Sequence, residues 1–215
     1  MVAFSRQRPV PSTYAELKAN FQLGLVGQML RNRFSDLSAN SRTTFFGSSA
    51  NTIGTRGLDL MVLVPSTKNM GELLESAALE VARLRQHGFS QAELDSAGRS
   101  ISREDAFGAY SALMKTNYLL DLYVTGARPI GEKEVAYQDE VIGKTSVKEL
   151  NDSLGSWLSP RLMRVAMLAS HEAGKNLPAE REAFGYFSRP RGPLPVFTFS
   201  KQGKVAYRLD FRPDY

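Results

Sequence analysis

The chain has 215 residues, of which 42% are apolar, enough for a folded core in one large domain or two small ones. It has no cysteine, which excludes disulfides, thiolate metal sites and cysteine nucleophiles but leaves the compartment open, bacterial periplasm and cytoplasm being equally compatible. The formal charge of +5 is mostly local: residues 185–215 hold six basic against two acidic side chains, four of the five excess charges, so nucleic-acid binding is not expected.

Val2 to Arg8 alternates weakly and reads as a strand stopped by Pro9 and Pro11. A strand starting at Val2 suggests a piece of a longer protein, and the opening MVAFSRQRP lacks the apolar core of a signal peptide. Thr13 and Glu16 have capping-box spacing, and the helix they open runs from Tyr14 to about Ala39, with Leu17, Phe21, Leu25, Gln28, Met29 and Leu37 near one face. Two extended runs follow, Thr43 to Ile53 and Leu58 to Val64. With Gly54-Thr55-Arg56-Gly57 between them, they predict an antiparallel hairpin. No apolar run approaches the roughly 20 residues that span a bilayer, so no membrane partner is expected.

From Met70 to Leu94 the chain reads as a helix, a stop and a second helix. Leu73, Leu74, Ala77, Val81 and Leu84 form the apolar stripe, while Glu72, Glu75, Glu80, Arg83 and Arg85 fall mainly elsewhere. Gly88 suits the left-handed residue of a Schellman cap, with Phe89 packing back on Leu84. Ser90 and Glu93 make a second capping box, and Phe89 and Leu94 the staple across it. The second helix runs from Gln91 toward Leu122 and stops before Gly126 and Pro129. Helices over Glu132 to Ile142 and Val147 to Leu158 follow, the latter capped by Ser146 with Glu149, and then a strand over Arg161 to Ser170. Pro178 to Phe187 reads as a helix, Arg189 to Pro195 as a linker and Val196 to Phe211 as a hairpin. This order predicts an α+β fold of two layers, a mostly antiparallel sheet covered on one face by helices. It divides into residues 1–170 and a C-terminal extension, 171–215.

Catalytic motifs are missing. A zincin helix needs two histidines four apart, yet His171-Glu172 is followed by Lys175, and neither His87 nor His171 starts an H-x-x-E-H. His87 fits the last turn of a helix, where a cation meets the negative end of the dipole. No glycine-rich loop precedes Gly143-Lys144, Gly174-Lys175 or Gly203-Lys204, and no serine lies in a G-x-S-x-G elbow. Glu104 and Asp105 point to different helix faces, so they read as solvated charges. Of Phe45 and Phe46, adjacent in an extended run, one ring faces the core.

Taken together, LGLVGQMLRNRFSDLS, TTFFGSSA, LMVLVP, LLESAALEVARLRQHGFSQAELDSA, KTSVKELNDSL and RLMRVAML resemble the second, inactive domain of the insulinase/pitrilysin family of zinc metallopeptidases. The resemblance covers about Val2 to Ser170, and its most specific part is the helix pair around GFSQAEL with Arg33 near the end of the first long helix. It implies an α+β domain that walls a peptide-sized chamber beside a zinc-bearing peptidase domain or subunit. Zinc is expected on that partner and no cofactor in this chain. The Arg and Tyr, seven apart, by which some members hold substrate are missing, since Ser38-Ala39-Asn40 and Phe45-Phe46 stand there. Arg42 and Phe46 are the residues left to contact a peptide substrate. The alternative is a stand-alone scaffold or assembly subunit that keeps the fold without proteolysis.

Overall fold

A computed structural model describes residues 2–4, 13–40, 51–52, 55–56, 58–60, 70–104, 116, 120, 132–165 and 177–198. Their longest elements are helices: α1 (Tyr14–Asn40), α2 (Met70–His87), α3 (Gln91–Glu104), α4 (Glu132–Lys144), α5 (Val147–Trp157) and α6 (Glu180–Ser188). The strands β1 (Val2–Phe4), β2 (Asn51–Thr52), β3 (Thr55–Arg56), β4 (Leu58–Leu60) and β5 (Met163–Val165) have two or three residues each. The expected two-layer fold, with its broad antiparallel sheet under helices, is therefore corrected: the described chain is mainly helical. Alternating apolar residues indicate that a stretch can be extended, but not how many of its residues pair.

β1 is the middle strand of a three-stranded sheet. Leu58–Leu60 pairs antiparallel with β1, Val2 opposite Leu60 and Phe4 opposite Leu58, and β5 pairs on the other side of β1 in the order β4-β1-β5. Thr55-Arg56, expected as turn, is a strand that pairs with Asn51–Thr52. Residues 43–50, 61–64, 166–170 and 199–211 of the expected strands lie outside the described residues, as does most of 105–122.

Helix α1 is the centre of the molecule. From Gln22 to Phe34 it is buried on nearly every side, with Leu25, Val26, Met29, Leu30 and Phe34 fully enclosed. A helix buried all round lacks the one-sided stripe expected from its sequence, because Gln22, Gln28 and Arg33 are buried with the apolar residues. α3 and α4 pack against α1, and α6 packs against α2. Leu74, Ala77, Val81 and Leu84 of α2 join the core as expected, with Ala78, while Phe4 joins it from the sheet and Ala183 and Phe187 from α6. Each large apolar side chain so enclosed contributes about 1.5–3 kcal/mol.

The helix starts follow their local chemistry. Thr13 Oγ1 accepts the Glu16 N–H at 3.2 Å while the Thr13 N–H donates to the Glu16 carboxylate at 3.1 Å. Ser146 Oγ accepts the Glu149 N–H at 3.2 Å. The Glu149 carboxylate also accepts from Lys18 Nζ and Gln22 Nε2, each at 2.8 Å, which ties the start of α5 to α1. Hydrogen bonding from Lys18 holds that carboxyl below the ordinary carboxylate range.

Candidate functional site

The junction between α2 and α3 holds the most deeply buried charges of the described residues. Gly88 ends α2 at φ +67°, a left-handed conformation that glycine adopts without the steric cost of a Cβ. Its N–H donates to Leu84 O at 2.9 Å, the single bond of an αL cap. The expected Schellman cap would also turn the Phe89 N–H back onto the helix. Instead Phe89 donates to Asn151 Oδ1 of α5 at 2.8 Å, and Asn151 Nδ2 donates to Phe89 O at 3.0 Å. One amide side chain thus satisfies both backbone groups of a buried residue, and the correction is a tertiary bond replacing a local one.

Downstream, the expected capping box is present. The Ser90 N–H donates to Glu93 Oε2 at 2.8 Å, and the Glu93 N–H donates to Ser90 Oγ at 3.4 Å. Phe89 and Leu94, on either side of the cap, are both buried. The carboxylate of Glu93 has a second role. Arg33 Nε donates to its Oε1 at 2.6 Å and Arg33 Nη2 to its Oε2 at 2.8 Å, a bidentate pair with side-chain exposures of 1% and 0%. Arg33 Nη2 also donates to Gly88 O at 3.1 Å, the carbonyl next to the left-handed turn. The guanidinium lies 4.9 Å from the Phe89 ring centroid and 4.5 Å from that of Phe197.

A second buried charge lies on α2. Glu80, expected on the outer surface, is enclosed and accepts from Arg83, and burial pushes its carboxyl above the ordinary range despite the nearby cations. Helix periodicity alone places Glu80 beside Ala77 and Leu84, on the edge of the apolar stripe, and it shares their burial.

Chemically, the junction holds the fold together and has no group placed to react. Both oxygens of Glu93 are engaged and out of reach of solvent, so this carboxylate has no access to a substrate proton. His87 sits in the last turn of α2 as expected, and its Nε2 lies 2.7 Å from Leu194 O. Among the described residues no group of three or more His, Asp or Glu could hold a metal ion, and His87 has no companion ligand. The described residues do not fit zinc. Arg42, Phe46 and His171 lie outside the described residues. Asn151, Glu75 and Gln86 carry structural contacts that no motif announced, because each partner is distant in sequence. Arg33 did carry a signal: with Arg31 it is one of two charges in the otherwise mostly apolar run Leu25 to Phe34, and a buried one needs a partner.

No family model matches the sequence, and no curated protein matches it. Two solved structures share the fold. One is the periplasmic protease PqqL from Escherichia coli, 14% identical, with a TM-score of 0.67 over 92% of this chain and 23% of that one. The other is the first half of the same protease, 14% identical, with a TM-score of 0.68 over 92% of this chain and 45% of that one. The chain spans less than half the length of either. At this identity the likeness establishes a peptidase-like fold.

Proposed function

We propose that the chain is a non-catalytic domain of a zinc metallopeptidase, which walls the substrate chamber and supports hydrolysis carried out by a separate zinc-bearing domain. The observation that carries this reading is a fold shared over 92% of the chain with part of a periplasmic protease, in a sequence without an H-x-x-E-H. Zinc-activated water would attack the scissile carbonyl on the partner, while this domain holds extended peptide against its wall. Arg42 offers a cation to peptide carbonyls or carboxylates, and Phe46 an aromatic surface.

The reading predicts saturable binding of an unstructured, fluorescently labelled peptide to the full chain, followed by anisotropy, and several-fold weaker binding for the Arg42→Ala/Phe46→Ala double variant. A chain that binds no peptide and does not associate with a zinc-bearing subunit would instead be a scaffold that has kept only the fold.

A further inference from the structure

Residues 189–198, expected as a linker into a hairpin, follow α6 without regular structure and run back along α2. Three features distinguish this strap from a free connector. First, Arg191 makes a bidentate pair with Glu75 at 2.6 and 3.0 Å and donates to Tyr186 O at 2.9 Å, which anchors the start of the strap to both α2 and α6. Second, the side chain of Gln86 grips the strap backbone on both sides of Pro193. Its Nε2 donates to Gly192 O at 3.1 Å and its Oε1 accepts the Leu194 N–H at 3.0 Å. That is the pattern of one residue in a parallel β-ladder, which bonds a carbonyl and the N–H two residues on, and proline can occupy the middle position because its missing N–H is not required. His87 adds a bond from the same helix end to Leu194 O. Third, Phe197 lies over the guanidinium of Arg33, so the strap ends on the buried junction.

These attachments differ in kind from those of the helices. The strap is held mainly by polar contacts with α2 side chains, and none of residues 189–198 belongs to the buried core, whereas α6 just before it contributes Ala183 and Phe187. Three prolines, Pro190, Pro193 and Pro195, keep it extended when detached as well as when docked, so undocking gains little backbone freedom and refolds nothing. Segments with few buried apolar contacts open at far lower cost than the global fold. We propose that residues 189–198 form an intramolecular latch, docked on α2 by Glu75, Gln86 and His87 and closed over Arg33 by Phe197, which releases as a unit while the helices stay folded.

Trypsin provides the test on the full chain. The Arg191–Gly192 bond is a substrate only when the Arg191 side chain leaves Glu75, while the neighbouring Arg189–Pro190 bond resists the enzyme because proline follows. Glu75→Ala and Gln86→Leu each remove a docking contact and leave the cleavage site intact. Cleavage at Arg191, followed by mass spectrometry, should accelerate several-fold in both variants, with the melting temperature and cleavage at other arginines unchanged. Equal rates at Arg191 in both variants and the parent, or acceleration shared by all sites, would overturn the latch.

Discussion

Arg33→Met should lower the unfolding free energy by about 3–5 kcal/mol, the range for breaking one side of a buried ion pair. In the folded protein, the variant leaves the Glu93 carboxylate buried with only Ser90 to satisfy it, and the Gly88 carbonyl loses its donor. The loss of attraction is the smaller part, because the larger cost is a charge kept out of water without its partner. The Arg33→Met/Glu93→Gln double variant should therefore be more stable than Arg33→Met alone, since glutamine retains an oxygen for the Ser90 N–H and carries no charge. Urea unfolding of the parent, Arg33→Met, Glu93→Gln and the double variant measures both effects. A double variant as unstable as the sum of its single substitutions would mean that the pair does not act as a unit.

Gly88→Ala should cost on the order of 3 kcal/mol, combining about 1–2 for a left-handed alanine with about 1–3 for a buried backbone group left unsatisfied. A Cβ built on Gly88 would lie 2.4 Å from both Cγ and Oδ1 of Asn151 and 2.7 Å from Nδ2. The amide end of Asn151 can move, but only by releasing the N–H and carbonyl of Phe89. For a domain of this size the shift in Tm is about 6–12 °C. In an Asn151→Ala background the collision is gone and the same substitution should cost only the backbone term. An equal penalty in both backgrounds would show that φ, and not the collision, accounts for the whole effect.

Devices contained within a few residues could be read directly from the sequence. Thr13 with Glu16, Ser146 with Glu149, Ser90 with Glu93 and the glycine at 88 are such devices, and the structure places each at the helix end expected of it. Features that depend on distant partners were out of reach. Asn151 meets Phe89 across 62 positions and Arg33 meets Glu93 across 60, so the cap on α2 has a form that no local rule specifies. The fold class failed for a related reason. Gln22, Gln28 and Arg33 hid a helix buried on nearly all sides, and Leu58–Leu60 has a partner in β1, far away in sequence. The strap was missed because prolines mark where regular structure stops, and not whether side chains elsewhere will hold the segment.

These contacts explain how a chain without a catalytic motif can keep a peptidase-like fold. The buried charges are spent on joining α1, α2 and α3, and the junction leaves no group free for chemistry. Zinc titration of the purified chain, with metal content and peptide hydrolysis measured on the same sample with and without chelator, tests the central claim most directly. The account predicts zinc well below one equivalent and no chelator-sensitive hydrolysis. One tightly bound zinc per chain, or peptide cleavage that a chelator abolishes, would contradict it.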